Sequence, residues 1–208
     1  MQDSSIELYA VPRPPLLVII SGPSGVGKDT IIQHIKDRGI AFAFVVTMTS
    51  RPIRANEIHG RDYFFVTKEE FENLIAKNEL LEHSIVYGEY KGIPKDQVRK
   101  AMASGKDVVM RIDVQGVEKI RKLVPNAVTI FLMPDSEEEL IRRLVERKSE
   151  TVDGLKRRIA TAREEMTRRK DFDYVVVNYH DRQDMAVDEI LAIISAEHCR
   201  SVRTPINL

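Results

Sequence analysis

LLVIISGPSGVGKDT, residues 16–30, is the stretch from which the rest of the chain is read. A near-continuous apolar run, the pattern of a strand buried on both faces, empties into a glycine-rich loop and then into a periodic apolar segment that reads as a helix. Residues 22–28 fit the phosphate-cradling pattern G-x-x-x-x-G-K. Gly22, Pro23, Ser24, Gly25, Val26 and Gly27 form the cradle. Its three residues without a Cβ let successive N–H groups converge on phosphate oxygens, with a helix N-terminus behind them. Lys28 then reaches the β- and γ-phosphates as a mobile point charge. Asp29 follows where such loops commonly carry Ser or Thr for Mg²⁺. A carboxylate holds that ion directly but adds negative charge beside phosphates, so Asp29, with Thr30 as its substitute, is the expected metal ligand.

Length and composition limit the alternatives. The 208 residues can bury a proper core in one domain with inserted subdomains. Lysine plus arginine number 32 and aspartate plus glutamate 32, a formal net charge of zero, which argues against a general nucleic-acid or membrane binder. The single cysteine, Cys199, forms no internal disulfide and suits a reducing compartment. No apolar run approaches the roughly 20 residues that span a bilayer. Residues 1–15, polar and then punctuated by Pro12, Pro14 and Pro15, read as a flexible arm with neither signal-peptide nor transit-peptide character.

Downstream, the pattern predicts a helix over 28–38 closed by Gly39, and one short strand over 43–48. Residues 47–66, TMTSRPIRANEIHGRDYFFV, set Arg51, Arg54 and Arg61 among proline and glycine, the composition of a binding loop. A strand at 63–66, a helix at 68–77 and a strand at 80–87 follow. In YGEYKGIPKDQV, residues 87–98, Gly88, Gly92 and Pro94 are read as turns, with Pro94 opening a helix to about residue 104. Then come a strand ending at Asp113, a helix over 115–123 and a strand over 128–133. Asp135, Glu137, Glu138 and Glu139 open a further helix where its dipole favours them. A charged stretch over 142–170, a strand at 174–177 and a helix at 185–196 complete the chain. This alternation predicts an α/β fold: a P-loop NTPase-type, doubly wound parallel sheet covered on both faces, with an α+β insertion at about 48–95. Ligands in such folds collect at the carboxyl ends of the strands, where residues 22–28, Arg51 and Asp113 sit. His59 and His83 show no metal-ligand spacing and are expected to be solvated or locally bonded. Phe42, Phe44, Phe64 and Phe65 are expected in packing.

The order GPSGVGKDT, TSRPIRANEIHGRDYFFV, LLEHSIVYGEYKGIP, RIDVQG and an arginine-rich helical segment resembles guanylate kinase from about residue 16 to 196. The resemblance implies ATP-dependent, Mg²⁺-assisted phosphorylation of GMP, and of dGMP. It implies an ATP-binding core (16–47, 96–138 and 171–208), a GMP-binding insertion (48–95) and a helical lid (139–170). It places Arg51, Arg54 and Tyr63 on the GMP phosphate, and two guanidinium forks with a phenol suit such a dianion. Glu82 falls where the family's carboxylate accepts from guanine N1–H and the 2-amino group, which adenine lacks. By the same resemblance Thr47 lies near the base, Tyr90 and Lys91 near the acceptor phosphate, Asp113 near acceptor and metal, and Asn178 near the ATP base. Lys28, Arg51, Arg147 and Arg158 become the candidates for stabilising the migrating phosphoryl group, the last two from the lid. The plainer role for Arg147 and Arg158 is a salt-bridged helix face. A monomer or weak homodimer acting on small molecules, with no nucleic-acid or membrane partner, is expected.

Four positions depart from the family pattern. Besides Asp29, Lys91 replaces a tyrosine, Ile93 replaces a hydroxyl that contacts guanine, and Arg111 replaces an acidic residue two before Asp113. These bear on affinity, base selectivity and metal response rather than on phosphoryl transfer. GKD with YKGIP and RIDVQG is similar to the plant organellar branch, which implies an intracellular protein in plastid or mitochondrion, with the cytoplasm as the alternative, and inhibition by guanosine tetraphosphate. Two alternatives share the scaffold. A ribose 1,5-bisphosphate phosphokinase has no need of Arg51, Arg54, Tyr63 and Glu82 together, and the non-catalytic guanylate-kinase-like binding module typically loses the phosphate loop.

Overall fold

The computed structural model describes residues 13–86, 88–146 and 152–206. The chain runs β1 (Leu17–Ser21), α1 (Lys28–Asp37), β2 (Ala43–Phe44), β3 (Met48–Thr49), β4 (Phe64–Phe65), α2 (Lys68–Ala76), β5 (Leu80–Val86), β6 (Glu89–Pro94), α3 (Lys95–Ala103), β7 (Val108–Arg111), α4 (Val114–Leu123), β8 (Val128–Pro134), α5 (Glu137–Glu146), α6 (Val152–Thr167), β9 (Tyr174–Asn178) and α7 (Gln183–His198).

Five strands form one parallel sheet in the order β2-β7-β1-β8-β9, with β1 at its centre. Alternation along β1 divides its side chains between two cores. Val18 and Ile20 pack with Ile31 and Ile35 of α1 and Ile190 and Ile194 of α7. Leu17 and Ile19 pack on the other face with Val98 of α3 and Val117 and Ile120 of α4. The sheet is therefore covered on both sides, as the unbroken apolar run of β1 requires.

A second, four-stranded sheet, β4-β3-β6-β5, is built from the chain between Met48 and Pro94. Here the structure corrects two expectations. The apolar run at 43–48 is not one strand: Ala43 and Phe44 pair with β7, whereas Met48 and Thr49 pair with β4 and β6 in the other sheet. Gly92 and Pro94 are not turns either. The chain reverses at Gly88, with φ +78°, and Gly92 and Pro94 lie in β6 opposite His83 and Leu80. Proline is tolerated there because it ends the strand and serves as N-cap of α3. α2 is closed at its start by a capping box between Thr67 and Glu70. The helices α5 and α6 join through a small apolar cluster of their own, Leu140, Leu144 and Ala162.

Candidate active site

The phosphate loop follows β1 directly. Gly22 has φ +144°, and a Cβ there would lie 2.1 Å from the Leu132 carbonyl oxygen, so no other residue allows this approach to β8. α1 starts at Lys28 with Gly27 as its N-cap and no side chain satisfying its first N–H groups, an arrangement suited to an anion. Lys28 Nζ donates to the carbonyls of Gly22 (2.6 Å) and Pro23 (3.0 Å). Burial pushes its pKa down, opposed by attraction to Asp113 and Glu165 and reinforced by repulsion from Lys91. Glu165, on α6, accepts a 3.2 Å bond from Ser24 N–H. Burial raises that carboxyl, against the pull of Lys28 and the Ser24 amide.

Lys28 opens into a cavity that also takes in Asp29, Thr47, Arg51, Arg54, Tyr63, Lys91, Asp113 and Arg158. Thus the predicted cations converge although they come from α1, the loop after β3, β6 and α6. Arg51 is held by a bidentate pair with Glu57, Nη1 to Oε2 at 2.7 Å and Nη2 to Oε1 at 2.5 Å. Its guanidinium stands 5.0 Å from the Tyr63 ring centroid and 5.4 Å from that of Phe65. Glu57 also accepts from Arg54 N–H at 3.0 Å. Burial would raise the Glu57 carboxyl, but Arg51 and Arg54 hold it below the ordinary carboxylate range. Lys91 Nζ donates to Asp113 Oδ1 at 3.2 Å. Burial would lower its pKa, and the charge and hydrogen bond of Asp113, with Asp29 nearby, raise it instead.

Glu82 sits in the same cavity with only 4% of its surface exposed. The register of β5 against β6 shifts between Leu80 and Glu82, the kind of irregularity that re-aims a side chain. Across the cavity wall, α4 leaves room for the carboxylate at Gly116: a Cβ there would lie 2.7 Å from Glu82 Oε2. Lys119 Nζ stands 3.6 Å from Glu82 Oε1 and donates to the His83 carbonyl at 2.6 Å. Burial pushes the Glu82 carboxyl up to about 7, with Lys119 opposing and Asp113 adding to the rise. Among the described residues Oε1 has no hydrogen-bond partner. A buried acceptor without a hydrogen bond, on a residue that lines the cavity, calls for a donor.

A second cavity lies on the other side of the phosphate loop, between Gly27, Thr30, Arg143 and Asn178. Asn178 is buried and donates through Nδ2 to the Val26 carbonyl at 2.8 Å, while its Oδ1 is left without a partner among the described residues. Arg143 donates to the carbonyls of Val26 (2.9 Å) and Asn178 (3.1 Å). The structure therefore parts Thr30 from Asp29, because successive helical residues point about 100° apart. Tyr90 also stays outside the main cavity. Its hydroxyl donates to Glu72 at 3.0 Å and its ring stacks on Phe71, so its place is in the packing of the second sheet. Arg147 lies outside the described residues. His59 is locally bonded, accepting from Phe65 N–H at 3.2 Å.

Sequence reasoning passed over Glu57, Arg143, Glu165, Gly116 and Lys119. Only Glu57 carried a local signal, three residues after Arg54 in a loop. The others depend on partners brought in by the tertiary fold. For magnesium, no group of three or more acidic, histidine or cysteine side chains forms a cage among the described residues. Magnesium held chiefly by phosphates and water needs one or two carboxylates, and Asp29 beside Lys28 fits that demand.

A phosphate loop at the end of a central parallel strand, facing a cationic pocket with a buried carboxylate, defines a P-loop phosphotransferase with a separate acceptor pocket. Comparison with known proteins is more specific. The guanylate kinase family profile matches residues 15–197. The chain is 49% identical over 205 residues to "Guanylate kinase 2, chloroplastic/mitochondrial" of Oryza sativa subsp. japonica, covering 98% of this chain and 72% of the rice protein. It is 43% identical over 188 residues to the guanylate kinase of Halalkalibacterium halodurans, covering 90% of this chain and 91% of that one. The crystal structure of guanylate kinase from Anaplasma phagocytophilum superposes with a TM-score of 0.74 at 29% identity, covering 92% and 90% of the two chains. This chain belongs to the guanylate kinase family, and the curated relatives it matches are named as guanylate kinases, which are ATP:GMP phosphotransferases.

Proposed function

We propose that this chain transfers the γ-phosphoryl group of ATP to GMP, and to dGMP, giving ADP and the nucleoside diphosphate. The observation that carries the reading is the buried Glu82 carboxylate, one oxygen of which has no hydrogen bond among the described residues, lining one cavity with Lys28, Arg51, Arg54 and Arg158. Guanine offers N1–H and a 2-amino group to such a carboxylate; adenine, whose N1 is an acceptor, opposes it. In this reading the parallel sheet and the cavity at Asn178 and Arg143 take ATP, the second sheet takes GMP, and α5 and α6 form the lid. Thr47 lines the base side, and Arg51, Arg54, Tyr63 and Lys91 meet the acceptor phosphate. Asp113 orients Lys91 toward it.

A GMP phosphate oxygen is already ionised near neutral pH, so no strong general base is needed. The work of the chain is positioning and charge neutralisation. Lys28 binds the β- and γ-phosphates, and Arg51, Arg158 and, from the lid, Arg147 balance charge on the group in flight. When bound, Mg²⁺ would supply further charge neutralisation, and Asp29 is the residue that would hold it. A plastid or mitochondrial site of action belongs to the same proposal, supported by the name of the rice relative. Guanosine tetraphosphate, a guanine with anionic groups, is proposed as an inhibitor that competes for the GMP cavity. Failure to displace GMP in a binding assay removes that part.

The test is a coupled ADP-release assay with ATP and Mg²⁺, offering GMP, dGMP, AMP, UMP and ribose 1,5-bisphosphate in turn. Turnover confined to GMP and dGMP is expected. Turnover with the sugar phosphate, or with no acceptor, overturns the assignment. Lys28→Ala is expected to lower kcat by at least about a hundredfold, and wild-type turnover in that variant would remove the phosphate-loop assignment.

A further inference from the structure

The phosphate-loop helix and the acceptor cavity are joined by a contact that neither half of the site requires by itself. Arg111 stands at the end of β7, and its side chain is 16% exposed. Its Nη1 donates to Asp29, 82 residues earlier and next to Lys28, and its Nη2 donates to the backbone carbonyl of Asp62. The guanidinium carbon stands 4.3 Å from the Tyr63 ring centroid, on which Arg51 also bears at 5.0 Å. Arg111 therefore touches the core sheet, the phosphate-loop helix and the acceptor loop with one side chain. Tyr63 is packed against two guanidinium groups, and Arg111 adds a cation to the wall of the acceptor cavity.

Two departures noted in the sequence thus meet in space, and each explains the other. A carboxylate at position 29 beside a phosphate loop is unfavourable alone, and so is a further arginine among Arg51, Arg54 and Lys91. Paired, each offsets the other's repulsion, and the planar fork of arginine suits three partners in a way lysine does not. We propose that Arg111 is a positioning residue for the acceptor phosphate, working through Tyr63, and that Asp29 and Arg111 act as one unit. Asp29 then serves the acceptor side of the site before any metal arrives. This rests on the GMP reading given above.

The experiment is calorimetric titration of GMP, without ATP or Mg²⁺, into the wild type, Asp29→Ala, Arg111→Met, the double variant and Arg111→Lys. Arg111→Met is expected to weaken GMP about tenfold, the scale of one charge-assisted hydrogen bond. Asp29→Ala is expected to weaken it about threefold, with the double variant within about twofold of Arg111→Met alone, the non-additivity of residues that act through each other. Arg111→Lys should recover part of the loss. In steady state, Arg111→Met should raise KM for GMP more than KM for ATP. Unchanged GMP affinity in Asp29→Ala overturns the proposal, as does a double variant whose loss is the product of the two single losses. Thermal unfolding of each variant checks folding; if Arg111→Met does not fold, Asp29→Ala and Arg111→Lys decide. A wild type that binds no GMP overturns the functional reading itself, whereas normal wild-type binding with additive variants overturns this inference alone.

Discussion

Glu82 shows how a residue's chemistry is set by what surrounds it. In β5 it is one acidic residue among many, and its position in the chain suggests a role only by resemblance. Its burial comes where α4 faces it with Gly116 and Lys119, and that burial raises its carboxyl to about 7 against the opposing pull of Lys119. Because the carboxyl is raised, it carries a proton below pH 7 in the free protein, and guanine's donors need it ionised. GMP affinity is therefore expected to fall as pH drops below about 7, approaching tenfold per unit, and to level off above it. The GMP phosphate also titrates near pH 6, so the control is Glu82→Gln. That variant should bind GMP roughly 10- to 100-fold more weakly and keep only the phosphate's pH dependence. Identical profiles in titrations of the two proteins would detach Glu82 from guanine. Gly116 gives an independent check. A methyl group there meets Glu82 at 2.7 Å and Ile112 at 2.6 Å, so Gly116→Ala is expected to cost about 1–3 kcal/mol in denaturant unfolding and to raise KM for GMP while KM for ATP stays near wild type. Equal effects on both substrates would count against a cradle for Glu82.

Among the elements, α6 reaches furthest from its own neighbourhood. It pairs with α5 through Leu140, Leu144 and Ala162, yet it also delivers Arg158 to the main cavity and Glu165 to the phosphate loop. Glu165 takes up Ser24 N–H, a donor that the loop would otherwise offer to phosphate. Replacing the carboxylate by an amide keeps a bond to that N–H and removes a negative charge near the nucleotide's own. Glu165→Gln is thus expected to tighten ATP about three- to tenfold in the absence of GMP, measured by fluorescence titration. A weaker ATP affinity would instead make Glu165 part of the loop's scaffold. Elements with strong local signals were legible from the sequence: the buried run of β1, the loop into α1, and the helix opened by Glu137, Glu138 and Glu139. The hairpin of β5 and β6 was not, because Gly92 and Pro94 carry turn chemistry locally while pairing with distant residues overrides it. Likewise, nothing within 43–48 shows that its two ends join different sheets. Arg111 could be singled out by its type, but not its partner across 82 residues.

At the scale of the molecule, the division into two sheets does not divide the core. Ile93 of β6, in the second sheet, shares one apolar cluster with Val108 and Met110 of β7, Leu17 and Ile19 of β1, and Val117 of α4. The polar links run the same way, through Glu82 with Lys119, Lys91 with Asp113, and Arg111 with the Asp62 carbonyl. Sheets that share buried side chains cannot lose one layer without exposing the other, so the chain is expected to unfold in a single transition. A ligand held by either half must then stabilise the whole. At a hundredfold excess over Kd a ligand adds about 2.7 kcal/mol, and at this size each kcal/mol moves Tm by roughly 2–4 °C. Scanning calorimetry with GMP alone, and with ATP alone, should each raise one common Tm by about 5–10 °C. A split endotherm in which GMP moves only one component would mean that the second sheet unfolds by itself, and that Ile93 and the three polar links do not bind the halves into one cooperative unit.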